Sequence, residues 1–165
     1  MLKYTDVEVT FAELLDEISL CINISNCPNH CPDCHSKYLW DDIGEPLNKE
    51  SLFKLINANE GITCVCFMGG DQAINSINWL AKCIKESYPK LKVGWYSGKV
   101  GLDKDIILDY FDYIKIGPYI KEYGPINVNT TNQRLYEYNE VFSDYTIGKC
   151  WRDITYKFWR NDTDS

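Results

Sequence analysis

"EISLCINISNCPNHCPDCHSKYLW", residues 17–40, is the stretch on which the fold turns. Residues 17–24 are rich in β-formers and run straight into a loop that carries Cys27, Cys31 and Cys34. A strand that ends on three thiols asks what stands beside it. Working outward, "NKESLFKLINAN" (48–59) sets Leu52, Leu55 and Ile56 on one helical face. "GITCVCFMGGD" (61–71) is a short, nearly continuous apolar run that ends in glycines, the pattern of a buried parallel strand. "INSINWLAKCIKES" (74–87) carries a stripe of Ile74, Ile77, Leu80, Ala81 and Ile84 and stops near Pro89. "LKVGWYSG" and "FDYIKIGP" predict two more strands closed by glycine or Gly-Pro, with a short helix over "LDKDIILDYF" between them. Strand–helix alternation of this kind predicts an α/β fold with a mainly parallel sheet. The cysteine loop, "MGGD" and "YSG" then share the carboxyl ends of strands, where such folds bind ligands.

At 165 residues the chain fits a single domain, 1–165, able to bury a core without metal or disulfide staples. Its opening has no basic cap before an apolar run, and no apolar stretch approaches a membrane span, so a soluble, cytoplasmic protein is expected. A formal charge of −7 and a pI of about 4.8 argue against nucleic-acid backbone binding as the main task. Eight cysteines in such a chain point to ligands or core residues rather than disulfides.

The thiols of the loop are spaced Cys-x3-Cys-x2-Cys, with Pro28 and Pro32 keeping it from coiling into a helix. Close thiolates on a short loop suit a compact soft-metal centre. A 4Fe-4S cluster takes cysteine thiolates as its usual ligands, and three of them leave one iron open to a small molecule. An open position is what a catalytic metal needs and a structural one avoids. Two plainer readings stand beside it. One is a zinc site of Cys27, Cys31 and Cys34 with His35 or His30; the other is a loop whose cysteines simply pack. His30 reads otherwise as a solvated loop residue. Gly69 and Gly70 allow close backbone approach or positive φ, and Asp71 is placed either to accept from a ligand ammonium or to cap the next helix. Ser97 and Gly98 mark a turn or a ligand contact. Cys21, Cys64, Cys66 and Cys83 read as packing, and Cys150 lies in the tail.

With these residues in view, the chain resembles the radical S-adenosylmethionine enzymes, whose signature is Cys-x3-Cys-x2-Cys. More narrowly it is similar to the activating proteins of anaerobic ribonucleoside-triphosphate reductase. The likeness runs in order through "ISNCPNHCPDCHSKYLW", "FMGGDQ", "WYSG", "DYIKIGPYIKEYG" and "TTNQRLYE", a core over 17–137, with 138–165 as a C-terminal extension. The resemblance implies a partial (β/α) barrel with Cys27, Cys31 and Cys34 as the catalytic iron ligands. It implies S-adenosylmethionine bound at the open iron, contacted by Cys34 and its neighbours Asp33 and His35, and by Gly69, Gly70, Asp71 and Ser97. One electron cleaves the sulfonium to methionine and a 5′-deoxyadenosyl radical, which takes a hydrogen atom from a glycine of the large reductase subunit. A reduced flavodoxin- or ferredoxin-type donor is the implied source of the electron. Asp33 fills a slot that is Gly in close relatives, His35 replaces a commoner Tyr, and Gln72 replaces a usual Pro, which loosens that loop. A Gly-Pro-Gly-x-Arg stretch that relatives carry ahead of the first strand is replaced by "FAELLDEIS".

Two other functions fit fewer of these features: a small-molecule radical enzyme of the deazapurine synthase kind, and a zinc-stapled binding module. In the extension, alternation in "DITYKFW" predicts a final strand that covers the sheet edge.

Overall fold

The computed structural model describes residues 1–143 and 146–159. The described residues form one eight-stranded mixed sheet with two α-helices. Its strands are β1 (Lys3–Thr10), β2 (Ser19–Ile24), β3 (Glu45–Pro46), β4 (Cys64–Met68), β5 (Lys92–Tyr96), β6 (Tyr113–Ile116), β7 (Arg134–Ser143) and β8 (Thr146–Asp153). They lie in the order β3-β1-β2-β4-β5-β6-β7-β8. The central four, β2, β4, β5 and β6, pair in parallel, as the alternation of the sequence predicts. The flanks do not. β1 runs antiparallel to β2 and β3, β6 to β7, and β7 to β8, so antiparallel pairings outnumber parallel ones. The expected mainly parallel sheet is therefore corrected to a parallel centre with antiparallel wings. The connections between β1 and β2, eight residues, and between β7 and β8, two residues, are too short for a parallel crossover.

Helices α1 (Lys49–Asn57) and α2 (Ile74–Ser87) cover one face only. Leu52, Ile56, Ile77, Leu80, Ala81 and Ile84 pack there against Leu20, Ile22, Ile24, Val65, Phe67, Val93 and Trp95. The other face carries Cys21, Cys64, Cys66, Tyr96 and Tyr113, and Leu14, Leu135 and Ile154 close over it. These cysteines are packing residues, as expected. Leu14 comes from the "FAELLDEIS" segment, which thus fills the inner face. Among the described residues no helix is long and apolar enough to cross a membrane.

Two expected elements differ. "LDKDIILDYF" is largely irregular and contains only a 3-10 turn, Leu108–Tyr110, because Asp105 and Ile107 bond across to the Asn78 side chain instead of along a helix. "DITYKFW" is not a strand: Thr155–Trp159 is a 3-10 turn, begun by Asp153 accepting from the Thr155 backbone N–H and hydroxyl. The sheet edge is formed instead by β8. Residues 144–145 and 160–165 of the extension lie outside the described residues.

At the amino ends of the parallel strands, one carboxylate gathers four segments. Glu17, 7% exposed, accepts from the hydroxyls of Thr63 and Tyr113 and from the Lys92 ammonium at 3.0 Å. Those residues stand at or just before the starts of β2, β4, β5 and β6. Burial and the Glu17 bond hold the Tyr113 hydroxyl well above its usual 10.0. Burial, the largest influence on Lys92, works to lower it, but the Glu17 bond and charge outweigh that and raise it above 10.5. Both groups bind their proton more tightly folded than unfolded, so their contribution is full below pH ~10 and lost as the pH climbs past it. In urea titrations Tyr113→Phe is expected to cost about 1 kcal/mol at neutral pH and to flatten the decline of stability above pH 10. Parallel declines in the two proteins would contradict this.

Candidate metal and cofactor site

Each parallel strand releases a loop at its carboxyl end, and these loops meet. β2 gives the cysteine loop, β4 gives Gly69–Asp71, β5 gives Ser97–Gly98, and β6 gives Gly117–Tyr119. The cysteine loop is fastened at its base. Asn26 and Cys27 donate backbone N–H bonds to the carbonyls of Asp41 and Leu39, both 2.9 Å. The Ser25 hydroxyl donates to the Ile43 carbonyl at 2.6 Å. A tight turn bonds Cys34 N–H to the Cys31 carbonyl at 3.0 Å.

The three thiols are half-buried, and all eight cysteines are unpaired. Two of the loop thiols face an N–H donor. The Ser36 backbone N–H lies 3.3 Å from Cys34 Sγ, and the Asn29 amide nitrogen lies 3.8 Å from Cys27 Sγ. Burial pushes the Cys31 thiol up; the Tyr119 N–H works against it, and Cys34 and Cys27 push it further up. Deprotonating three thiols on one short loop would call for a cationic centre to offset the repulsion. No three His, Cys, Asp or Glu side chains among the described residues converge closely enough to hold a single ion. A mononuclear zinc site draws each sulfur to about 2.3 Å from one atom, whereas a cubane spreads its thiolates over separate irons. Three thiols on one loop, two of them with an N–H donor at the sulfur, suit the second kind of group.

The other expected residues take distinct places. Asp33 and His35 are exposed beside Cys34. The His35 ring meets Tyr119 at 5.0 Å between centroids, which makes an aromatic rim. His30 is exposed but not merely solvated, since it stacks on Trp40 at 4.6 Å and 8°. Gly69 and Gly70 have φ of 117° and 94°. A Cβ on Gly69 would approach the Ile24 carbonyl oxygen to 3.2 Å, and one on Gly70 would lie 2.5 Å from Ile77 Cδ1. Glycine is needed at both for conformation, and at Gly70 also for space.

Asp71 is 6% exposed and does not cap α2, whose N-cap is Ala73 without a side-chain bond. Its carboxylate accepts instead from Asn29 Nδ2 (2.6 Å), the Ser97 hydroxyl (2.6 Å) and the Gly98 backbone N–H (2.9 Å). Ser97 therefore faces Asp71. Gln72 tightens the site rather than loosening it: its amide donates to the Ser25 carbonyl at 3.0 Å, a bond that proline has no donor to make. Asn29 and Tyr119 were not singled out from the sequence. Asn29 carries a weak signal, since an amide between two cysteines is a ready sulfur donor; nothing local marks the Tyr119 backbone.

The family model for 4Fe-4S single cluster domains matches residues 18–136, close to the 17–137 core. The chain belongs to that family. Neither the curated proteins nor the solved structures give a match. A 4Fe-4S domain replaces the zinc-stapled module as the reading of the chain, and Cys27, Cys31 and Cys34 lie on one loop outside the packed interior.

Gly70→Ala is expected to destabilise the cluster-free protein by ~1–3 kcal/mol in urea, from the strained φ and the collision with Ile77. Unchanged stability would show that the turn after β4 has another path open to it.

Proposed function

We propose that this protein is a radical S-adenosylmethionine activating enzyme that generates the glycyl radical of an anaerobic (class III) ribonucleotide reductase. The observation that carries the proposal is a set of three thiols and no fourth. Cys27, Cys31 and Cys34 share one loop, while Cys21, Cys64, Cys66 and Cys83 are buried in packing and Cys150 lies on the edge strand β8. With three protein ligands, a 4Fe-4S cluster keeps one iron for the amino and carboxylate groups of S-adenosylmethionine. When bound and reduced, the cluster would supply one electron for cleavage of the sulfonium, and the reaction would end with a hydrogen atom taken from the target glycine.

The chain's own residues would bind and orient the nucleotide. Gly69 and Gly70 bring backbone close to the methionine moiety. A carboxylate has about four acceptor positions; Asp71 uses three on protein donors, which leaves one on Oδ1 for the ligand ammonium. His35, with Tyr119 beside it, offers a rim for the adenine, and Asp33 contributes its backbone. Ser97 acts through Asp71.

The helix-free inner face, closed at one end by Leu14, Leu135 and Ile154, supports the partial-barrel reading, with the β2–β4–β5–β6 segment as its wall. A site built from loops at the ends of parallel strands suits a large protein partner that presents an extended glycine loop. The electron donor would be a reduced flavodoxin or ferredoxin, and the setting the cytoplasm.

Anaerobic reconstitution with iron and sulfide is expected to give about four irons per chain and cleavage of S-adenosylmethionine to 5′-deoxyadenosine under reduction. Cys31→Ala is expected to lose both. Retained cleavage in that variant would remove Cys31 from the ligand set, and a complex with no reductase subunit under reducing conditions would favour the small-molecule enzymes.

A further inference from the structure

Asn29 bridges two things that are far apart in the sequence: the Cys27 sulfur and the buried carboxylate of Asp71. Its Nδ2 lies 2.6 Å from Asp71 Oδ2 and 3.8 Å from Cys27 Sγ. A primary amide has two hydrogens on that nitrogen, so one serves each acceptor. The Asp71 end is fixed. The carboxylate is buried, and the Ser97 hydroxyl and Gly98 N–H hold both of its oxygens against the end of β5. The path is also cleared for Asn29: a Cβ on Gly98 would lie 2.6 Å from Nδ2 and 3.2 Å from Cγ of the same side chain. Gly98 is not among the glycines at positive φ, so the reason for glycine there is room for this amide.

We propose that Asp71 is a positioning residue that aims the Asn29 amide at the Cys27 sulfur, and that this N–H donor raises the reduction potential of the bound cluster. The inference rests on the 4Fe-4S reading given above. An N–H directed at a ligating sulfur withdraws charge from it and favours the more negative, reduced state, and hydrogen bonds to sulfur are among the factors that set such potentials. Without the carboxylate, the amide has nothing to hold its second hydrogen toward sulfur. Asp71 would then matter to the cluster without touching it.

The test is an anaerobic redox titration of the reconstituted full chain, followed by the cluster's electron paramagnetic resonance signal, with iron and sulfide content measured in each protein. Asn29→Leu keeps the size and all three thiols. It is expected to take up its cluster and to be harder to reduce by about tenfold in the one-electron equilibrium, ~59 mV more negative. Gly98→Ala sets a Cβ against the amide and is expected to shift the potential in the same direction, which decides the matter if Asn29→Leu folds poorly. Asp71→Asn measured in the wild-type and Asn29→Leu backgrounds is expected to give two different shifts, because part of its effect passes through the amide. Wild-type potentials in Asn29→Leu and Gly98→Ala, or identical Asp71→Asn shifts in both backgrounds, would overturn the inference while the cluster reading stands. A wild-type chain that takes up no cluster would sink that reading and this inference with it.

Discussion

The candidate site depends on one constraint: loops from four parallel strands must be held at a common end although none of them is regular structure. A loop with three thiols has little reason of its own to stay folded, since thiolates repel and two prolines deny it a helix. The structure answers with polar bonds between loops. Asp71 joins the β2, β4 and β5 loops through Asn29, Ser97 and Gly98, and Gln72 adds a bond to Ser25. Glu17 does the corresponding work at the opposite ends of the same strands. Two buried carboxylates thus bracket the parallel centre, one at the ligand pole and one at the structural pole.

Both are expensive groups to bury, and both are tolerated because their acceptor positions are filled by donors from separate segments. The difference lies in the donors. Glu17 meets a cation, Lys92, and two hydroxyls, an arrangement suited to stability. Asp71 forms no ion pair within salt-bridge distance among the described residues; its partners are an amide, a hydroxyl and a backbone N–H. Asp71 is thus held by neutral donors alone, beside the loop that carries Cys27, Cys31 and Cys34.

The parallel centre was legible because each of its elements carries its own period. "CVCFM" is continuously apolar and becomes β4 with its first four residues buried; the stripe from Ile74 to Ile84 becomes α2. Glycines 69 and 70 stand where positive φ is needed. The wings were harder. Within "KYTDVEVT" the strand is mostly half-exposed, so its pattern is diluted, and Arg134–Ser143 opens on a polar stretch that reads as loop. "DITYKFW" alternates like a strand yet curls, because Asp153 captures the Thr155 N–H and hydroxyl, a local choice that periodicity does not register. In the site, the thiols and the Gly-Gly-Asp turn were visible as residue types. Their connections were not: Asn29 is 42 positions from Asp71, and no spacing rule links an amide in one loop to a carboxylate in another.

The claim beneath all of this is that the protein leaves one iron to a small molecule. The most direct measurement is electron–nuclear double resonance on the reduced, reconstituted protein with S-adenosylmethionine labelled at its amino nitrogen and carboxylate oxygen. The account predicts hyperfine coupling from both labels to the cluster, lost when the labelled nucleotide is withheld. Absence of coupling in a protein shown to hold the cluster and the nucleotide together would mean that the fourth iron is otherwise occupied, and would contradict it.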